Sequence, residues 1–407
     1  MILADFSLLR RRRDLRLLVF GYTVSLFGTM FTQVALAVQV YDLTGSTVAV
    51  GLLGAAEFVP IVLLALVGGA LADAFDRRKL IWGAELTASI VSGALLFNAL
   101  LPNPHVWVLF VAAMLFAGAS AVLRPPLDAL MPRLVERDEL KAASAIYGSL
   151  ANLATIAGPA LAGVLIAATD VSVAYGLDLA SFVASLTAFA LMRTPPPPPD
   201  AEPPSLRAIL AGLRYAGSRQ ELLGSYLIDI NAMFFGMPFA LFPALADRYG
   251  GTQVVGLLWA APGVGALVSM STSGWATRVH HNGRAIVWAA AAWGVAIALF
   301  GLTETLWLAL LLLALAGAAD GVSGIFRGAL WNETIPDEMR GRLAGVEMIS
   351  WSSGPLLGNA RAGVSASLFG LRASVFGGGV LVVAGSVVLA LALPRFWNYD
   401  SRSSAAS

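Results

Sequence analysis

Four charged side chains, Glu57, Asp229, Asp320 and Arg361, sit deep inside otherwise apolar stretches of the chain. A charge surrounded by hydrocarbon costs several kcal/mol unless it is paired or hydrated, so an ionisable residue placed there is a candidate for function. Low dielectric disfavours the ionised form of a carboxyl. Such a group can take a proton on one side of a membrane and release it on the other, which is the chemistry that exchange for another solute needs. Arg361 keeps its proton and suits another task, holding a carboxylate or recognising an anion. The polar residues Gln33, Gln39, Asn152 and Asn231, with Phe234 and Trp259, lie in similar stretches. A lining of amides and aromatic rings fits a bulky, amphipathic, partly aromatic small molecule. Glu85 and Glu347 fall one to two turns from the ends of their stretches and are expected to join nearby basic residues. Asp178 falls close to the opposite end and is expected to be hydrated.

These side chains need elements that can hold them in lipid. Of the 407 residues, 58% are hydrophobic and 13% charged, against about 25% charged in a soluble domain. Mean hydropathy is +0.77. The composition describes a multi-pass membrane protein. A span needs about 20 apolar residues, and only helices or closed barrels satisfy their backbone in hydrocarbon. The short alternating segments of a barrel are missing, so the fold is all-α. Twelve transmembrane helices are predicted at 16–41, 48–72, 79–101, 106–127, 140–168, 172–192, 221–247, 254–277, 285–303, 305–328, 343–369 and 372–394. The run Leu15–Val40 is too long for a signal peptide and reads as a retained first span. Lys and Arg place the N-terminus inside: 21 of the 26 fall in segments that would then be cytoplasmic, as the positive-inside rule requires. Both termini are expected on the cytoplasmic side.

The chain divides into two six-helix bundles. Pro195–Pro199, Pro203 and Pro204 can form neither span nor packed helix and read as an extended connector. In Ser205–Gly217, Leu206, Ile209, Leu210 and Leu213 share one face, which predicts a short amphipathic helix on the membrane surface. The expected organisation is an N-terminal bundle over 1–192, a cytoplasmic linker over 193–220, a C-terminal bundle over 221–396 and a tail over 397–407. The halves echo each other. Arg124, Pro132, Arg133 and Lys141 follow span four, and Arg327, Pro336, Arg340 and Arg342 follow span ten, half a chain later. Duplicated six-helix halves with a substrate site at mid-bilayer are a plan of secondary transporters.

Other totals exclude function classes. There is no cysteine, hence no disulfide and no thiolate site. The three histidines, His105, His280 and His281, fall in loops, so neither a metal site nor an intramembrane enzyme is expected, and no cofactor. Lys79 and Lys141 do not follow glycine, so there is no P-loop for an ATP-driven pump. A net charge of +1 gives no field for nucleic acid.

The loop after span two reads Gly69-Ala70-Leu71-Ala72-Asp73-Ala74-Phe75-Asp76-Arg77-Arg78-Lys79. It resembles the G-x-L-A-D-R-x-G-R-R loop of the major facilitator superfamily, with Ala74 in place of Arg and Asp76 in place of Gly. Gly158-Pro159-Ala160-Leu161-Ala162-Gly163 is similar to the antiporter motif of that superfamily's exporters. Val40–Ser46, Phe326-Arg327 and Gly341-Arg342-Leu343 resemble the bacterial group of enterobactin exporters and macrolide efflux proteins. The resemblance implies that spans one, four, seven and ten line the cavity, which favours Asp229 and Asp320 as proton sites, with Glu57 next. It implies a gate in which Gly69, Asp73, Arg77 and Arg78 act with span eleven and Arg124. It implies further that Gly158, Pro159 and Gly163 bear on export direction. In the second half, Gly274–Arg278 places a basic residue where Asp73 would stand.

The resulting expectation is a proton-driven exporter of a drug-like compound or siderophore in the cytoplasmic membrane, working as a monomer among membrane lipids. The alternative is a proton-coupled importer of a nutrient or metabolite. A receptor with a transporter's fold is a further possibility that the residues leave open.

Overall fold

The computed structural model describes residues 7–74, 77–193 and 214–404, and within them the side chains other than those of 65–78, 125, 128–129, 337–342, 344–349 and 403–404. Among the described residues the chain is helical, without strands. The long helices are α1 (Arg13–Thr44), α2 (Thr47–Ala74), α3 (Arg77–Ala99), α4 (Val106–Leu130), α5 (Leu140–Ala168), α6 (Val171–Leu191), α7 (Gln220–Gly236), α8 (Phe242–Tyr249), α9 (Gln253–Ser271), α10 (Asn282–Leu302), α11 (Leu306–Thr334), α12 (Asp337–Phe369) and α13 (Leu371–Ala392).

Eleven of the described segments are long and apolar enough to cross a membrane, α7 and α8 together forming one of them. The 33 residues of α12 rise about 50 Å, also enough to cross. Large apolar side chains such as Phe97, Trp107, Trp307 and Leu391 stand exposed, as expected of surfaces that face acyl chains rather than water. Pro60, Pro159, Pro262 and Pro355 lie inside α2, α5, α9 and α12 without ending them. In a span, neighbouring helices satisfy the groups a proline frees.

The seventh span departs from the expected continuous helix over 221–247. It stops at Gly236, turns through Met237 and Pro238, forms one 3₁₀ turn over Phe239–Leu241 and restarts as α8. Pro238 supplies no N–H, and Gly236 lies close against Trp293, so the chain turns where a side chain could not fit.

Contacts divide the chain into two compact units. The first comprises 1–43 and 59–204, the second 44–58 and 205–407. This differs from an even split in one stretch, Thr44–Phe58, which groups with the second unit. There Gly51 lies against the backbone of Asn359 and Ala360 in α12, an approach that only a residue without Cβ permits. In the first unit, α3 packs on α4 and α6; in the second, α11 packs on α9 and α10, and α7 on α12 and α13. The connector prolines and the expected amphipathic helix, residues 194–213, lie outside the described residues.

Candidate functional site

In the first unit, α1, α3 and α6 each carry two polar side chains seven residues apart: Ser25 and Thr32, Glu85 and Ser92, Asp178 and Ser185. Seven residues are two turns, so each pair shares a helix face about 10 Å apart along the axis. The three faces meet in two layers. In one, Glu85 accepts hydrogen bonds from Ser185 and from Ser25 at 3.3 Å. In the other, Asp178 accepts from Thr32 at 2.6 Å and Ser92 at 2.5 Å. Ser181 is near the second carboxyl, and a methyl group on Gly28 would collide with both. Both carboxyls are buried, at 1% and 0% exposure. Among the described residues neither has a cation within ion-pairing distance. The expectations that Glu85 joins the inner basic cluster and that Asp178 is hydrated are therefore corrected: both point into the packed bundle, where their partners are hydroxyls.

Glu85 also stands in the wall of a cavity of about 200 Å³ within this unit. Tyr22 and Tyr147, stacked with ring centres 4.6 Å apart, line it with Met30, Gln33, Phe116, Phe182, Ser120 and Arg124. Gln33 and Arg124 thus share one recess, which is mostly apolar and aromatic with a few polar groups. Such a wall can hold one flat, amphipathic part of a small molecule. Gln39 instead is buried, accepting from the Tyr175 hydroxyl at 2.8 Å, and Asn152 is exposed on α5. Gly158 and Pro159 are buried in α5. A methyl group on Gly158 would lie 2.6 Å from the Cβ of Met30, so glycine sets how closely α5 approaches α1. Gly163 is buried on the same helix.

The second unit arranges its charges differently. Arg327 of α11 forms an ion pair with Asp229 of α7 through Nη1, and Nη2 reaches Asp320 at 3.4 Å. One guanidinium thus faces two carboxylates. The Asp229 side chain is 7% exposed and that of Asp320 40% exposed. Asn231 donates to the Val382 carbonyl at 3.0 Å, tying α7 to α13. Arg361 meets no carboxylate among the described residues. Its guanidinium donates to the carbonyls of Phe234 at 3.2 Å and Phe235 at 2.5 Å, the last turn of α7, and lies 3.5 Å from the Ser374 carbonyl. Asn359 on the same helix accepts from Ala240 N–H at 3.1 Å. The break in the seventh span is thus stitched to α12. Glu57 is half-buried and makes no hydrogen bond or ion pair among the described residues. Trp259 packs against Phe239 at 4.8 Å.

Of the expected gate, the side chains of Gly69, Asp73, Arg77 and Arg78 lie outside those described, as does that of Glu347. Residue type and depth alone did not reveal the partner of Asp229 and Asp320, or the two hydroxyl-bound carboxyls. The repeat had marked Arg327, and the seven-residue spacing on three helices was a usable signal for Glu85 and Asp178.

Comparison with known proteins adds the following. A family model described as transmembrane secretion effector matches residues 6–406. Enterobactin exporters EntS from Escherichia coli O81 and from Citrobacter koseri are each 31% identical, over 97% of this chain and 96% of theirs. Among solved structures, a POT family transporter in complex with 5-aminolevulinic acid aligns with TM-score 0.76 at 12% identity, covering 95% of this chain and 97% of that one. A bacterial homologue of the human lysosomal transporter Spinster, inward-facing and unoccupied, aligns with TM-score 0.71 at 16% identity, covering 97% and 98%. These structural likenesses bear out the twelve-helix fold.

Proposed function

Because the chain belongs to the transmembrane secretion effector family of the major facilitator superfamily, and so is a multi-pass transporter of the inner membrane, we propose that it exports a siderophore or similarly bulky amphipathic molecule in exchange for protons. The observation that carries the cargo class is 31% identity spread over nearly the whole length of enterobactin exporters. The aromatic recess of the first unit supports it, since stacked tyrosines beside amide and hydroxyl groups suit a ringed, polar-edged solute. In this reading the bundles correspond to 1–192 and 221–396, joined by the linker over 193–220, with a tail over 397–407. Both termini are cytoplasmic, and one copy works alone by alternating access.

The proton is carried by the Asp229–Arg327–Asp320 cluster. Two carboxylates facing one guanidinium hold one negative charge in excess, so uptake of one proton leaves the cluster neutral. Asp320 is the exchanging group. It is the more exposed carboxylate and the more distant from Arg327, whereas Asp229 keeps the arginine in place. Such coupled sites titrate as a group. Arg361 holds the broken seventh span and takes no part in the exchange.

The test is drug or siderophore efflux from proteoliposomes with an imposed pH gradient, with labelled enterobactin as the first probe. Asp320→Asn is expected to abolish the dependence of efflux on the gradient while leaving cargo binding within about threefold. Coupling that survives in Asp320→Asn and in Asp229→Asn would overturn the proton assignment. Accumulation of the probe against export in cells carrying the protein would overturn the direction.

A further inference from the structure

Five arginines converge at one end of the first unit around an open depression of about 440 Å³. Arg11, Arg12 and Arg13 come from the entry to α1, Arg133 from the connection between α4 and α5, and Arg193 from the exit of α6. All three places are ends of spans, so the depression lies at the level of lipid headgroups. Arg12 is engaged by Glu136 and by Glu139 at 2.9 Å. Asp14 is the acid in the wall; it accepts the main-chain N–H of Arg193 at 3.2 Å and lies 3.8 Å from Arg13. The guanidinium of Arg193 makes no hydrogen bond or ion pair among the described residues, and that of Arg13 has only the long contact to Asp14. Glu136 and Glu139 both engage Arg12, which leaves Arg13 and Arg193 facing only Asp14 among the described residues. Marking membrane topology would need the charge alone, with no reason for three separate chain segments to gather it.

We propose that this depression binds the phosphodiester headgroup of an anionic lipid, with Arg13 and Arg193 as its principal donors. Guanidinium forks match two phosphate oxygens at once, and basic pockets beside spans are the usual seats of acidic headgroups. The surface beneath the arginines favours a lipid over a soluble phosphate. Phe20 lies seven residues after Arg13 on the same face of α1, about 10 Å deeper, and is 52% exposed; Leu191, two residues before Arg193, is 54% exposed. A headgroup in the depression would lay its acyl chain along these apolar side chains, whereas an inorganic anion would gain nothing from them.

The site is tested by the affinity and thermal shift of the purified full-length protein. Nanodiscs of phosphatidylcholine alone are compared with nanodiscs in which one lipid in five is phosphatidylglycerol, and inorganic phosphate is titrated into the neutral discs. Phosphatidylglycerol is expected to raise the melting temperature. Arg13→Gln with Arg193→Gln should weaken its binding about 25-fold, from a factor of about five per arginine near a charged surface. Arg214→Gln with Arg219→Gln, an equal charge change in the second unit, should leave the shift intact. A shift that persists in the first double variant, or that vanishes equally in the second, overturns the site. An equal shift from inorganic phosphate in neutral discs overturns the lipid as occupant. If the glutamine pair fails to fold, Arg13→Lys with Arg193→Lys keeps the charge and removes the fork. Undiminished phosphatidylglycerol affinity in that pair would also count against the assignment.

Discussion

The two units meet the same difficulty, carboxyl groups inside a lipid-embedded bundle, with different chemistry. In the first, Glu85 and Asp178 rest on serine and threonine hydroxyls from α1, α3 and α6. In the second, Asp229 and Asp320 face Arg327. A hydroxyl can donate to a carboxylate or accept from a carboxylic acid, so the first arrangement tolerates either protonation state. A guanidinium can only donate, and it favours the charged form. Difference in partner, rather than in depth, thus separates carboxyls that can be held in either protonation state from carboxyls held by a cation.

The contrast can be broken most directly at Arg327. Arg327→Gln leaves two carboxylates without a cation and is expected to cost about 3–5 kcal/mol, seen as loss of monodisperse protein in detergent. Asp229→Asn added to it should recover much of the loss. A wild-type melting temperature in Arg327→Gln alone would show that the pair contributes little. Next in size is Arg361→Met, which strands the Phe234 and Phe235 carbonyls. At about 1–3 kcal/mol for an unsatisfied buried group, melting should fall clearly, and Arg361→Lys should restore only part, since an ammonium lacks the fork. Glu85→Gln is expected to cost about 1 kcal/mol or less, because no cation is orphaned and the amide can still bond Ser25 and Ser185. A loss as large as that of Arg327→Gln would erase the distinction between the units.

A comparably small effect lies outside the hydrocarbon. Asp170 caps α6 by accepting from Ser172 N–H at 2.6 Å, and the Ser172 hydroxyl and N–H hold its carboxyl below the usual range. A depressed folded-state value means the cap contributes above the ordinary carboxylate range and is lost as pH falls through the lowered one. Asp170→Ala should therefore cost about 1 kcal/mol at neutral pH, and its melting curve should converge with that of the native chain on acidification.

Much of the fold was legible because lipid imposes a length on every helix, and runs of that length are hard to hide. The predicted span over 140–168 coincides with α5, and that over 172–192 differs from α6 by a residue at each end. The break at Gly236–Pro238 was not legible. Its sequence is as apolar as its surroundings, and proline is tolerated inside several other helices. Pro238 and the close seat of Gly236 against Trp293 allow the break, and Arg361, more than a hundred residues away, satisfies the carbonyls it frees. The same holds at the site: Asp229 and Asp320 announced themselves as charges in apolar runs, but the cation that faces them is set by the packing of α7 on α11. Glu85 and Asp178 were misplaced because distance from a span's end was taken as access to water. Direction around the helix decides that, and the serines and threonines two turns apart recorded it.

The interruption of the seventh span removes what makes a long helix stiff, its continuous ladder of main-chain bonds, while Arg361 keeps the loose carbonyls tied to α12. Bending at 237–238 breaks no ladder bond that is not already missing. α7, α8 and α12 are therefore joined at an elbow, and a slide of α12 along its axis would reach it through two side chains, Asn359 and Arg361.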